Sequence, residues 1–287
     1  MKIPELFGKG KPVFSFEFFL PKTAEDTETF KATVRDLKKL EPGFVTLTYG
    51  AGGSARDRTI EVAGMMKNEL GLETAAHLTC IAHTKDEVDA ILERVKALGI
   101  ENIVALRGDT PKDRVVPPLE RRDFRYASDL VAHIRTRDHF ALAVAGYPEK
   151  HPEAASLDAD LAALKAKVAA GGDWIITQLF FDNARYFAFV KRARSAGIIC
   201  PIFPGIMPVT GFAQTQKFTA MCGATIPQGM LADLQRVQED REAVIRYGVD
   251  YAVRQCRELL AGGAPGIHFY TLNKSHSTAT ILSRLRS

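Results

Sequence analysis

Short runs rich in β-branched and aromatic residues recur along the chain. They begin near Val13 (VFSFEFF), Phe44 (FVTLTYG), Glu73 (ETAAHLTC), Asn102 (NIVALRGD), Phe140 (FALAVAGYP), Trp174 (WIITQLFF), Ile198 (IICPIFPGI) and Gly266 (GIHFYTLN). Several are apolar at successive positions, as expected of parallel strands covered on both faces. Between the runs the period changes. Phe30, Val34, Leu37 and Leu40 share one face of a helix predicted over Ala24–Leu40, and Val88, Ile91, Val95 and Leu98 one face of another over Glu87–Leu98. Gly71, Gly99, Gly171 and Gly197 sit where a left-handed residue ends a helix.

The first three intervals between runs are 31, 29 and 29 residues, the next three 38, 34 and 24, and the last 68. Eight strand-then-helix units of this size predict a single α/β domain over residues 1–287, a (β/α)8 TIM barrel. The last interval has room for two helices, roughly Pro227–Gln235 and Glu239–Leu260, before the eighth strand. Pro111–Arg125 reads as a long charged loop after the fourth. A doubly wound Rossmann sheet is the alternative, weakened because no G-x-G-x-x-G follows a strand.

The 46% hydrophobic and 25% charged residues exclude a disordered or fibrous chain. No apolar run reaches the roughly 18 residues of a membrane span. The N-terminus does not read as a signal peptide. Cys80, Cys200, Cys222 and Cys256 are scattered, which fits a reducing cytoplasm without disulfides or a metal. The net charge of +4 is uneven: segments 1–12, 111–125 and 274–287 carry +2, +2 and +3, leaving −3 for the rest. Solvated surface charge or an anionic small molecule accounts for this better than nucleic acid does.

In such a barrel the chemistry sits at the C-terminal ends of the strands. Glu17 stands out there, flanked by Ser15-Phe16 and Phe18-Phe19. Strand alternation puts Ser15 and Glu17 on one face. Desolvation would raise the Glu17 pKa and make it a proton donor, unless an arginine inside the barrel pairs with it. Arg107-Gly108-Asp109 ends the fourth strand; it either receives a ligand, with Arg107 on a phosphate and Asp109 on a ring N–H, or forms an internal salt bridge. The loop Tyr49-Gly50-Ala51-Gly52-Gly53 is neither a Walker A loop nor a dinucleotide fingerprint. His77 and Cys80 point to opposite faces, and no HxH, HExxH or Cys pair supports a metal. No lysine lies within a strand run, and no G-x-S-x-G occurs. An enzyme built this way needs an organic cofactor.

The run Ser15-Phe16-Glu17-Phe18-Phe19-Leu20-Pro21-Lys22-Thr23 resembles the opening signature of the methylenetetrahydrofolate reductases. So do Thr46-Leu47-Thr48-Tyr49-Gly50-Ala51, His77-Leu78-Thr79-Cys80, Ala105-Leu106-Arg107-Gly108-Asp109, Tyr126-Ala127-Ser128-Asp129-Leu130 and Tyr147-Pro148-Glu149-Lys150-His151-Pro152-Glu153. Further matches are Ile176-Thr177-Gln178-Leu179-Phe180-Phe181-Asp182, Pro204-Gly205-Ile206-Met207-Pro208 and His268-Phe269-Tyr270-Thr271-Leu272-Asn273. They run in order over nearly the whole chain, whose length resembles the bacterial catalytic-domain form.

The resemblance implies an FAD-containing barrel that reduces 5,10-methylenetetrahydrofolate to 5-methyltetrahydrofolate with NADH or NADPH by ping-pong turnover, or runs in reverse in the cell. It implies a cytoplasmic enzyme of one-carbon metabolism and methionine biosynthesis, a homo-oligomer (dimer or tetramer), with no nucleic-acid or membrane partner. Glu17 matches the family's catalytic acid, protonating N10 as the imidazolidine ring opens. Asp109 matches the aspartate near flavin and pterin. Thr48, Tyr49, Ala51, His77, Arg107, Gly108, Asp109, Ala127, Tyr147, His151, Asp160 and Lys167 fall on FAD positions. Gln178, Gln214, Phe218, Tyr270 and Lys274 fall in the substrate region, Phe218 contacting nicotinamide donor and folate in turn. Leu20 replaces a common proline, Ala163 an asparagine near the FAD, and Lys274 an arginine, which keeps the charge but loses the bidentate fork. Loop 111–125 looks longer and more basic than in familiar members. With the charged termini it is expected to flank the folate site and hold the anionic glutamate tail.

Overall fold

The computed structural model describes residues 1–21, 23–49, 53–110 and 116–287, with backbone alone at 24 and 53–55. Among the described residues, eight parallel strands pair in chain order and close into a barrel: β1 (Val13–Phe18), β2 (Phe44–Leu47), β3 (Thr74–Thr79), β4 (Asn102–Leu106), β5 (Ala141–Gly146), β6 (Trp174–Leu179), β7 (Ile202–Ile206) and β8 (Gly266–Tyr270). Around them lie α1 (Ala24–Lys38), α2 (Gly53–Asn68), α3 (Lys85–Ala97), α4 (Ala127–Arg135), α5 (Leu157–Ala169), α6 (Asn183–Ser195), α7 (Phe212–Cys222), α8 (Gln228–Val237), α9 (Arg241–Ala261) and α10 (His276–Arg286). This is the expected TIM barrel. Thr23 and Thr84 start α1 and α3 with reciprocal capping boxes to Asp26 and Glu87. The four glycines expected past helix ends all have positive φ, from 62° to 123°.

The interval before β8 holds α8 and α9 near their predicted places, and also α7, which the hydrophobic pattern did not mark. The buried face of α7 is made by Thr215 and Thr219, not by aliphatic residues. Each threonine hydroxyl donates to the carbonyl four residues back, Gly211 and Thr215, so the helix buries a polar-looking face at little cost. No helix among the described residues is long and apolar enough to cross a membrane. All four cysteines are free.

Strand alternation divides the core in two. Outward-facing residues such as Phe14, Phe16 and Phe18 of β1 pack beneath the helices. Inward-facing Val13, Phe44, Ala75, Val104, Ala143, Trp174, Ile176 and Phe203 fill the end of the barrel where the strands begin. A 3-10 turn (Ile3–Leu6) closes that end: buried Ile3 joins the cluster, and Phe7 packs on Trp174 and Phe203 with ring centroids 6.1 and 4.9 Å apart. The Ile3 N–H donates to Asn102 Oδ1 at 2.8 Å, and the terminal ammonium pairs with Glu73 and Glu101.

This placement corrects the charge reading. The basic segment 1–12 lies at the end of the barrel opposite the strand C-termini. Arg284 pairs with Asp250 on α9 at 2.6 Å, and Arg286 lies over the outward-facing Phe14 ring. Of the terminal charges, Lys274 alone follows a strand end, exposed just past β8. Residues 111–115 of the basic loop lie outside the described residues.

Candidate functional site at the mouth of the barrel

β1 carries a graded column on its inner face: Val13, then Ser15, then Glu17. Glu17 pairs in register with Thr46 of β2 and Tyr270 of β8, which sets it near the mouth but below the rim. Its side chain is 13% exposed. Every recorded side-chain contact goes to Oε2: Thr46 Oγ1 donates at 3.3 Å, and His268 Nε2 and His77 Nε2 lie at 3.4 and 3.3 Å. His268 is fully buried, and its Nδ1 is 2.9 Å from Ser15 Oγ.

Here the structure corrects the expected electrostatics. Burial does raise the Glu17 pKa, but the imidazoles of His77 and His268 beside its carboxylate outweigh it. The carboxyl is held well below the usual carboxylate range. Phe16 and Phe18 face the helices, so the residues that flank Glu17 in sequence do not surround it in space. Its partners are histidines, not an arginine.

The rim is built by the loops after β2 to β5. The Tyr49 hydroxyl lies 2.9 Å from His83 Nε2, and Thr48 Oγ1 accepts from the Leu20 N–H at 3.3 Å. Arg107 does not pair with Asp109: it forms a two-point ion pair with Glu153, at 2.5 and 2.8 Å. Gly108 has φ +86°, and a Cβ there would meet Thr79 Cβ at 2.8 Å, so both conformation and space demand glycine. Asp109 is exposed. Tyr147 and His151 meet edge to face at 4.7 Å, and the Glu153 N–H donates to His151 Nδ1 at 3.1 Å. Lys150, at φ +105°, turns its ammonium onto the carbonyls of His151, Pro152 and Ala154 and so fixes this loop.

Burial, helped by Asp160 and Asp109, pushes the Tyr147 hydroxyl up to about 12. Burial also raises the Asp160 carboxyl and lowers the His151 imidazole. Lys167 reaches inward from α5 to the Ala145 carbonyl, 2.5 Å away; burial brings its ammonium down to about 8, with Asp160 opposing. Ala127 opens α4 at the same rim. Ala51 lies outside the described residues.

The opposite wall comes from β6, β8 and α7. The β6–β7 register is irregular between Ile176 and Leu179, the stretch that carries Gln178. Gln178 Oε1 accepts from the Leu179 N–H at 2.9 Å. The Tyr270 ring lies against Gly205, where a Cβ would come within 2.6 Å of it, and its hydroxyl donates to the Thr177 carbonyl at 2.7 Å. Gln214 and Phe218, four residues apart on α7, share a face. Phe218 packs in one cluster with Leu179, Met207 and Tyr270, and Gln214 Oε1 accepts from Thr210 Oγ1 at 3.3 Å. Glu149 accepts from the Thr225 N–H at 3.0 Å, tying this wall to the rim.

The methylenetetrahydrofolate reductase family model matches residues 2–286. The chain belongs to the methylenetetrahydrofolate reductase family. It is 42% identical to the 5,10-methylenetetrahydrofolate reductase of Escherichia coli, with 96% of this chain and 92% of that protein aligned. It is also 42% identical to a methylenetetrahydrofolate reductase (NADH) of Zea mays, over 99% of this chain but 50% of the plant protein. It thus spans about half the length of the plant relatives it matches. A Clostridium thermocellum protein solved with two copies of 5-methyl-5,6,7,8-tetrahydrofolic acid shares the fold, with a TM-score of 0.63 and 12% identity over 96% of this chain and 94% of that one.

Against the reductase family signature, the structure gives contacts to motif residues to which the sequence reading assigns no site role. Thr46 and His268 contact Glu17, Ser15 contacts His268, and Glu153 holds Arg107. Strand parity could have found His268: on the eighth strand it shares the inner face with Tyr270, next to Ser15 and Glu17 of the first.

Proposed function

We propose that this chain reduces 5,10-methylenetetrahydrofolate to 5-methyltetrahydrofolate, with a nicotinamide nucleotide as donor and FAD as carrier. The observation that carries this reading is Glu17: a carboxylate enclosed by histidines at the mouth of the barrel, in a chain that matches the reductase family end to end. The maize relative's name supports NADH as the donor.

The mouth fits FAD. His77 Nε2 is buried and makes no hydrogen bond of normal geometry among the described residues, so a polar ligand has a partner waiting. Gly108 keeps side-chain bulk off the end of β4. Thr48, Tyr49, Ala51, His77, Arg107, Gly108, Asp109, Ala127, Tyr147, His151, Asp160 and Lys167 would hold the cofactor. When bound, FAD supplies the hydride carrier between nucleotide and folate.

The chain's own groups do the rest. Glu17 delivers a proton to N10 of the substrate as the five-membered ring opens to an iminium, which is the hydride acceptor. Asp109 and Gln178 orient the pterin at the rim. Gln214, Phe218 and Tyr270 form a wall that nicotinamide and folate occupy in turn, so no separate nucleotide domain is needed. Lys274 faces the glutamate tail.

Anaerobic stopped-flow tests this. Protein loaded with FAD should be bleached by NADH and then regain its colour with methylenetetrahydrofolate. Glu17→Gln should keep the first step and lose the second. Protein that takes up no FAD, or a variant that loses both steps equally, refutes the reading.

A further inference from the structure

Glu17 presents a conflict: an acid must carry a proton, yet its surroundings favour the carboxylate. His268 resolves it. The β1–β8 register sets Ser15 opposite His268 and Glu17 opposite Tyr270. The His268 ring is fully buried, stacked on Phe44 (centroids 6.3 Å, planes 20°) and edge-on to Tyr270 (5.3 Å). Its two nitrogens meet two different groups, Ser15 Oγ at 2.9 Å and Glu17 Oε2 at 3.4 Å.

The other groups facing Glu17 are His77 from β3, Tyr270 from β8 and the neutral Thr46 hydroxyl from β2. The Tyr270 proton is committed to the Thr177 carbonyl. His77 Nε2 approaches Glu17 without hydrogen-bond geometry and belongs to the proposed cofactor set. His268 is left as the group built to exchange a proton with the acid.

We propose that His268, oriented by Ser15, is the positioning residue that stores the proton Glu17 delivers. The inference rests on Glu17 being the acid. In this couple the shared proton starts on His268 Nε2, beside the Glu17 carboxylate, with Ser15 Oγ accepting from Nδ1–H. It then moves from Nε2 to Oε2, leaving neutral His268 still donating to Ser15. Glu17 passes it to N10 as the ring C–N bond opens and its electron pair goes to nitrogen. The couple is then one proton short and takes one back from solvent through the mouth.

Two sites that share a proton bind it more tightly than either alone, and they titrate as a pair. His268→Gln keeps a hydrogen-bond donor near Glu17 but stores no proton. Its alkaline limb for flavin reoxidation by methylenetetrahydrofolate should therefore fall by at least about one pH unit, a loss of about tenfold at pH 7.5 that recovers on acidification. Ser15→Ala should move the limb the same way by less. FAD content and melting midpoint screen both variants for folding. In 15N-histidine NMR of the holoprotein at neutral pH, His268 should be an imidazolium in the wild type and neutral in Glu17→Gln. An unshifted limb with rates lowered evenly across pH overturns the proposal, as does a neutral wild-type His268. Failure of wild-type protein to be reoxidised by the folate would instead overturn the functional reading.

Discussion

Arg107 and Glu153 clasp each other along the rim of the barrel, the guanidinium at the end of β4 and the carboxylate in the loop after the neighbouring β5, at 2.5 and 2.8 Å. Glu153 is 63% exposed, so the pair adds under about 1 kcal/mol to global stability. Its effect is to aim Arg107. Glu153→Gln should leave the melting midpoint nearly unchanged and weaken FAD binding by about three- to tenfold through lost preorganisation. Its bond to Arg107 holds the Glu153 carboxyl below its ordinary value. The clasp is therefore intact above the carboxylate range and opens as pH falls through that lowered value. Wild-type FAD affinity, followed by flavin fluorescence, should drop on acidification more steeply than the variant's.

Lys167 carries a burial cost that the proposed cofactor would offset. Its folded-state value of about 8 lies below the 10.5 of an exposed lysine, so the unfolded chain binds more protons between those values. Lys167→Met should stabilise FAD-free protein by about 1–3 kcal/mol at pH 7, and the advantage should shrink as pH rises through that window. Urea titrations at pH 7 and 9.5 check this. A variant less stable at pH 7 contradicts it.

Gly108 and Gly99 both have positive φ, +86° and +73°, but a Cβ at Gly99 meets nothing within 4 Å. Gly99→Ala should cost about 1 kcal/mol from the backbone alone. Gly108→Ala should cost about 1–3 kcal/mol more, because the new methyl meets Thr79. Equal losses in thermal melts would show that the contact at Thr79 relaxes freely.

Lys274 is exposed just past β8, where substrate enters in the proposed scheme. Lys274→Glu should raise the folate KM about fivefold with kcat within about twofold, and the wild-type KM should rise with salt as an exposed charge is screened. A salt-independent KM would return Lys274 to the plain surface.

Trp174 is the sole tryptophan, and it lies at the closed end of the barrel beneath Phe7. Ile3→Ala should cost about 2–4 kcal/mol and red-shift the emission of Trp174. Flavin chemistry at the far end, measured at 25 °C, should be unaffected.

Much of this was legible from pattern. The eight strands, the helix-ending glycines and the place of Glu17 follow from period and spacing. The state of Glu17 did not follow, because alternation turns its apolar neighbours Phe16 and Phe18 away and brings in His77 and His268 from distant strands. The Arg107–Glu153 clasp spans 46 residues, and local pattern carries no trace of such a pairing. Helix α7 escaped because Thr215 and Thr219 satisfy their hydroxyls on their own backbone, so its buried face does not look apolar.

The turn at Ile3–Leu6 makes the barrel a vessel stoppered at one end. Among the described residues the Trp174 layer fills the barrel on the far side of Ser15 and His268, so in the proposed scheme protons reach the acid through the mouth. Whatever fills the mouth would then also time the refilling: Glu17 would be recharged in the interval after one occupant leaves and before the next arrives. In the proposed scheme, where two partners take one surface in turn, the floor of the barrel would act as a clock.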